Sequence, residues 1–188
     1  MRQKPDVLAR AIVARSRLFT VEELQLRFAN GVERTYERLV SRGLGYGAVM
    51  VVALEDADNV LLIEEYCAGI DAYELSLPKG LIEPGEDVLA AANRELKEEA
   101  GFGARRLEHI TGLSLSPGYM SQSIQVVLAR DLYPERLPGD EPEEIRVSRV
   151  SLRDIAGLAS AENFSEGRAL AALYLVRDLL TQRGEYQP

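Results

Sequence analysis

The chain reads as an α+β protein built on a mixed β-sheet with an N-terminal β extension. Three observations carry that reading. Apolar and polar residues alternate through much of 11–40, the two-residue period of a strand. Further strand-like runs then flank a single helical stretch, 87–100. Helical segments return only after the last strand, so strands and helices come in groups and do not alternate strictly.

In order along the chain, "RLFTVEELQLRFANGVERTYERL" alternates Leu24, Leu26 and Phe28 with polar partners, and Asn30-Gly31 predicts a two-residue hairpin turn. Ala48–Leu54 is a continuous apolar run, the mark of a buried strand. "DADN" makes the next turn. Asp56, Asp58 and Asn59 echo a calcium loop, but its glycine and terminal glutamate are missing, so a plain hairpin turn is the reading. "VLLIEEY" and part of "AYELSLPKGLIEPGE" are strands, and Pro78, Gly80, Pro84 and Gly85 punctuate a loop. From Asp87 to Ala100, Leu89, Ala92, Leu96 and Ala100 form an apolar helical stripe that Gly101 terminates. "RLEHITGLSLS" and "SIQVVLARDLY" are strands, "LPGDEPEE" an acidic loop, and "IRVSRVS" a last strand. "SLRDIAGLA" and "SEGRALAALYLVRDLLTQR" close the chain as helices.

A length of 188 residues suits one well-cored domain with a small appendage. The net charge of -8 argues against a nucleic-acid partner, which calls for a basic face. It leaves room for a phosphorylated small molecule, because a divalent cation can supply the positive charge locally. The single cysteine, Cys67, allows no intrachain disulfide and fits a reducing compartment. "MRQKPDVLAR" does not look like a signal peptide, and no apolar run nears the roughly 18 residues of a membrane span. The expectation is a soluble, cytoplasmic protein without a membrane or nucleic-acid partner.

"RELKEEAGF" sets Glu95, Glu98 and Glu99 together near the end of a helix. Like charges one turn apart destabilise a helix, and acids are disfavoured at its C-terminal end. The spacing puts all three carboxylates on one face beside the apolar stripe, where a hard cation such as Mg²⁺ or Mn²⁺ would compensate them. The neighbouring "PKG" segment offers backbone carbonyls, that of Lys79 among them, to complete the shell.

Gly80, five residues, Glu86, seven residues, Arg94-Glu95-Leu96, one residue, Glu98-Glu99, one residue, Gly101-Phe102 resembles a complete Nudix box over 23 residues. The resemblance implies an α/β/α sandwich, with Glu95, Glu98 and Glu99 as metal ligands, Glu98 and Glu99 central to catalysis, Arg94 orienting the glutamates and Glu86 supporting the loop. It also implies a metal-dependent hydrolase of a nucleoside diphosphate linked to another group.

Outside the box, "VARSRLFTVE", "NGVERTYER", "YELSLPKGLIEPGE" and "DLYPERLPGDEPE" are similar to the ADP compounds hydrolase and ADP-ribose pyrophosphatase branch of that superfamily. That branch implies release of AMP from ADP-ribose, diadenosine triphosphate or NADH. Pro117 and Tyr119, in "LSPGYMS", stand where relatives acting on ADP-ribose and dinucleoside polyphosphates carry a proline and a tyrosine, and a turn between strands explains them equally well. Glu64 occupies a position where a basic residue is expected. The general base implied is a glutamate of the mobile loop "LPGDEPEEIRV": Glu143 first, Glu141 second, with Glu144 also present.

Residues 1–42 are then a β subdomain extra to the hydrolase domain, 43–188, and the resemblance makes them part of a swapped homodimer. Arg17, Phe19 and Arg34 become candidate contacts to adenine or phosphate, against a plainer reading as core or surface ion pairs. Tyr66 is a candidate to stack on the base. His109, Cys67 and Ser116 lack the partners a catalyst needs. Two other readings stay open: hydrolysis of other nucleoside diphosphate sugars or of nucleoside triphosphates, and a non-catalytic nucleotide-binding module.

Overall fold

The structure, a computed structural model, describes residues 2–40 and 47–187. The chain forms two compact units: residues 1–46 with Ser114–Ser123, and residues 47–113 with 124–188. The boundary expected between residues 42 and 43 lies outside the described residues, and the first unit also takes in the later segment Ser114–Ser123.

In the first unit, β1 (Asp6–Arg15), β2 (Thr20–Arg27) and β3 (Glu33–Val40) form an antiparallel sheet in that order. The β2–β3 turn is longer than the two residues "NG" predicts. Phe28 N–H donates to the Val32 carbonyl at 2.9 Å, and Gly31 N–H to the Phe28 carbonyl at 2.8 Å. Gly31 takes φ +82°, so a turn followed by a left-handed glycine closes the hairpin. The Asn30 side chain accepts the Val32 N–H and fixes that form. All ten residues of β1 are exposed.

The second unit holds β4 (Ala48–Ala53), β5 (Asn59–Cys67), β6 (Ala72–Ser76), β7 (Lys79–Leu81), α1 (Val88–Glu95), β8 (Phe102–Ser114) and β9 (Ser123–Pro134) apart from their end residues Ser114 and Ser123, β10 (Arg146–Ser151), α2 (Ile155–Leu158) and α3 (Gly167–Gln182). One sheet runs β7-β4-β9-β8 and the other β10-β5-β6. β4 is parallel to β9 and antiparallel to β7, so the first is mixed.

Strand alternation distributes the core over two faces. Val49, Val51, Leu61 and Ile63 pack with Ala91, Ala92 and Leu96 on the α1 side. Met50, Val52, Val60 and Leu62 pack with Leu173 and Val176 of α3 on the other. Helices cover both faces, which is why β4 and the Val60–Ile63 part of β5 are apolar without a break, and the layering is the α/β/α sandwich the resemblance implies. Each fully buried leucine or isoleucine here contributes about 1.5–3 kcal/mol.

The "DADN" segment is a hairpin turn, with the Asp56 carboxylate accepting from Asp58 N–H, Asn59 N–H and Asn59 Nδ2. Two elements differ from expectation. Lys79–Leu81, expected within a loop, pairs with β4 as a short strand. The helix expected through Ala100 stays α-helical only to Glu95, and Leu96–Ala100 is a π turn.

Candidate active site

The site is built on the loop and helix that come after β7. Gly85 turns the chain at φ +82°, and the Asp87 side chain caps α1 by accepting Leu89 N–H at 2.9 Å and Ala90 N–H at 3.3 Å. In the π turn, Gly101 N–H reaches back to the Leu96 carbonyl, one residue further than in an α-helix. The Lys97 carbonyl, which an α-helix would bond to Gly101 N–H, instead accepts Leu137 N–H at 3.2 Å. Arg136 Nη1 reaches the Glu98 carbonyl and Glu135 N–H the Gly101 carbonyl. The irregular turn thereby anchors the start of the acidic loop.

Arg94 organises one set of acids. Its guanidinium donates to Glu86 at 3.0 Å through Nε and Nη2, to Glu95 Oε1 at 2.8 Å, to Glu98 Oε2 at 2.9 Å and to the Leu81 carbonyl at 2.9 Å. The hydrogen bond from Arg94 holds the Glu86 carboxyl below its usual range. Burial pushes Glu95 up, although Arg94 opposes the rise.

Glu99 faces elsewhere. Its Oε2 accepts Lys79 N–H at 2.7 Å, and it joins Glu65 and Glu141 in a group whose ligand oxygens all lie within 4.8 Å of one another. Glu99 is buried, Glu65 half-buried and Glu141 exposed. The partly buried Lys79 ammonium pairs with Glu65. Burial lowers the Lys79 pKa, while burial, Glu95 and Glu141 carry Glu99 up to about 8 against the pull of Lys79.

Six carboxylates (Glu65, Glu86, Glu95, Glu98, Glu99 and Glu141) thus face two cationic side chains, Lys79 and Arg94. Three of these acids, Glu65, Glu99 and Glu141, converge on one point, Glu99 buried and resisting ionisation, and such a set of hard oxygen donors fits a divalent cation. The cluster differs from the set expected from spacing. Glu99 belongs to it, whereas Glu95 and Glu98 converge on Arg94. Of Lys79, the backbone N–H is what meets Glu99.

Glu65 was not singled out by sequence reasoning, yet a signal existed. Leu61 and Ile63 face α1, and two-residue alternation puts Glu65 on the same face. The two loop candidates also part. Glu141 joins the cluster, while Glu143 Oε1 accepts the Tyr73 hydroxyl at 2.7 Å. A cavity of about 470 Å³ adjoins them, lined by Glu64, Glu65, Tyr66, Tyr73 and the loop residues 141–146. Glu64, where a basic side chain was expected, has Arg146 at 3.6 Å across the β5–β10 pair.

Of the substrate-contact candidates, Tyr66 lies in the second unit, and Arg17, Phe19, Arg34, Pro117 and Tyr119 lie in the first. Phe19 and Tyr66 are each half exposed, which excludes plain core packing. Arg17 sits in the β1–β2 turn that Ser16 and Phe19 close. Arg34 donates to the Glu33 carbonyl. Pro117 lies in the turn closed by Tyr119 and Met120 N–H on the Ser116 carbonyl, and the Tyr119 carbonyl accepts Leu39 N–H. His109 bonds Gln125, and burial pushes the Cys67 thiol up.

Comparison with known proteins gives the family. Residues 46–173 match the NUDIX domain, and residues 5–38 match the NudE-type Nudix hydrolase N-terminal domain. The chain is 50% identical over 182 residues to the ADP compounds hydrolase NudE of Escherichia coli, covering 97% of this chain and 96% of that protein. It is 33% identical to the ADP-ribose pyrophosphatase of Bacillus subtilis, over 69% of this chain and 71% of the relative. The crystal structure of an ADP compounds hydrolase superposes with a TM-score of 0.90 at 49% identity, over 98% of both chains. Box, sandwich and N-terminal strands thus agree, and the chain belongs to the Nudix hydrolases of the NudE type.

Proposed function

We propose that the protein hydrolyses the diphosphate linkage of ADP-containing compounds, among them ADP-ribose, diadenosine triphosphate and NADH, and releases AMP with Mg²⁺ or Mn²⁺ as the working cation. The observation that carries this reading is the Glu65–Glu99–Glu141 group, set against the end of the Nudix box in a chain so similar to an ADP compounds hydrolase.

Glu65 and Glu99 would hold the cation, with Glu95 and Glu98 beside them on Arg94 and Glu141 at the open side of the group. When bound, the cation neutralises the diphosphate oxygens and lowers the pKa of a coordinated water. The chain's own residues do the rest. Arg94 fixes the directions of Glu86, Glu95 and Glu98 through its forked hydrogen bonds, so these acids need no reorganisation during the reaction. Glu141, at the exposed end of the cluster, takes the proton of the attacking water. Water adds at one phosphorus, the bridging P–O bond breaks, and the departing phosphate carries away the bridging oxygen.

The working form is a homodimer in this reading. β1 is an edge strand exposed along its whole length, with Val7, Leu8, Ile12 and Val13 each 40–48% accessible. A long apolar edge of this kind calls for a partner. The single free cysteine fits a cytoplasmic setting, and no described helix is long and apolar enough to cross a membrane.

Product analysis with Mg²⁺ tests the reaction. ADP-ribose should give AMP and ribose 5-phosphate faster than dGTP gives pyrophosphate. Pyrophosphate from dGTP alone would replace the substrate class, and binding of ADP-ribose and dGTP without turnover of either would make the protein a nucleotide-binding module.

A further inference from the structure

The acidic loop between β9 and β10 is held firmly at both ends. Glu135, Arg136 and Leu137 bond to the π turn and Gly101, and from Arg146 onward the chain pairs with β5. Between them lie Pro138 to Glu144, which carry Glu141 into the cluster with Glu65 and Glu99. Among the described residues, a single hydrogen bond or ion pair ties residues 138–144 to the rest of the protein: the Tyr73 hydroxyl donating to Glu143 Oε1 at 2.7 Å.

Tyr73 is itself braced. It pairs across the strands with Tyr66 in the β5–β6 register, and the two rings meet edge-on with centroids 5.6 Å apart. The Tyr66 hydroxyl donates to Asp71 Oδ1 at 2.6 Å, within the turn of the same hairpin. The hairpin thus presents one phenol whose ring is fixed from behind and whose hydroxyl is committed to the loop. Glu143 lies two residues from Glu141, on the far side of a bend at Pro142–Glu143, so fixing one restricts the reach of the other.

We infer that Tyr73 is a positioning residue for the reaction: its hydroxyl latches Glu143 and thereby holds Glu141 at the acid cluster. The inference rests on the reading of that cluster as the reacting centre. Glu143 acts here as the keeper of the latch, and Glu141 faces the substrate. Neither tyrosine needs to touch the diphosphate for this role, although both line the cavity beside it.

The test compares Tyr73→Phe, Glu143→Gln and the double variant in the full-length protein, by steady-state kinetics on ADP-ribose with Mg²⁺ and by hydrogen exchange without substrate. Phenylalanine keeps the ring against Tyr66 and removes only the hydroxyl. Loss of an exposed hydrogen bond of ordinary net strength should raise exchange of residues 138–144 by about five- to tenfold. It should lower kcat by a similar factor with little change in KM, and the double variant should be no worse than the poorer single. Unchanged loop exchange in Tyr73→Phe would overturn the latch. So would multiplicative effects in the double variant, or a loss on the order of 10³-fold in Glu143→Gln alone, which would place Glu143 at the chemistry itself. The exchange readout needs no turnover, so a failure of the proposed activity would show separately, as a wild-type protein inert towards ADP-ribose.

Discussion

The Glu95 carboxylate occupies the space that a side chain on residue 80 would need: a Cβ built on Gly80 falls 2.2 Å from Cδ and both oxygens of Glu95. The glycine that opens the box is therefore required by close approach, since its own backbone lies in a regular pairing with Val49. Gly80→Ala must push Glu95 away from Arg94 or β7 away from β4. We expect a stability loss of about 1–3 kcal/mol, as for other overpacked sites. Turnover should drop by roughly 10²-fold, the effect of misplacing a catalytic group by an ångström. Thermal melts and kinetics on one preparation would check both, and wild-type values in each would refute the steric account.

Arg94 cannot be replaced by another cation. A lysine retains the charge but not the fork that reaches Glu86, Glu95, Glu98 and the Leu81 carbonyl together. Arg94→Lys should lower kcat by about 10²-fold and weaken activation by Mg²⁺. A variant that saturates with Mg²⁺ at the wild-type concentration would show that the fork is dispensable.

Glu99→Gln tests the cation site directly. A Lewis-acid site is worth several kcal/mol in the transition state, so turnover should fall on the order of 10³-fold. A cation at a hundred times its dissociation constant stabilises the fold by about 2.7 kcal/mol, and this shift in melting temperature should vanish in the variant. A preserved Mn²⁺-induced shift would move the site away from Glu99.

The Glu86–Arg94 bond gives a signed pH dependence. The folded pKa of Glu86 is depressed by Arg94, so its contribution is complete above the unfolded carboxyl pKa, about 4.3. It is lost as pH falls from there through the lower folded value. At pH 7, Glu86→Gln should be less stable by about 1–2 kcal/mol, given one strong charged hydrogen-bond set on a largely shielded side chain. The gap should close as pH is lowered below that window. A gap that widened in acid would have the wrong sign for this pair.

If β1 is a subunit interface, charges placed on both of its faces should break it. Ile12→Asp with Val13→Asp should sediment as a monomer at concentrations where the wild type is a dimer. A monomeric wild type would remove the dimer from the proposal.

Much of this was legible in the sequence. β4 and the Val60–Ile63 part of β5 announce themselves because both of their faces are buried, and of the predicted helical stripe Ala92, Leu96 and Ala100 are buried while Leu89 packs partly buried against them. The box glutamates stood out because their crowding is unfavourable without compensation. Other features were hidden for physical reasons. The π pitch of 96–100 depends on partners about forty residues away, Leu137 and Arg136, that no local window contains. β7 consists of three residues, two of them Lys79 and Gly80, so it has no strand propensity to detect. The sequence ranks Glu143 above Glu141, whereas in the structure their difference is made by Tyr73 and Glu65, which lie on other strands and leave no local signal.

The π turn also restricts what evolution can do to the length of the chain. Elsewhere a single-residue deletion is absorbed most easily by an exposed loop. Between Leu96 and Ala100 a deletion would regularise the helix, returning Gly101 N–H to the fourth residue back. The better helix would reclaim the carbonyl that Leu137 now uses and turn Glu99 away from Lys79. The gain in local regularity would come with an unmoored acidic loop. Substitutions in this stretch are testable one at a time; its residue count is not free to vary.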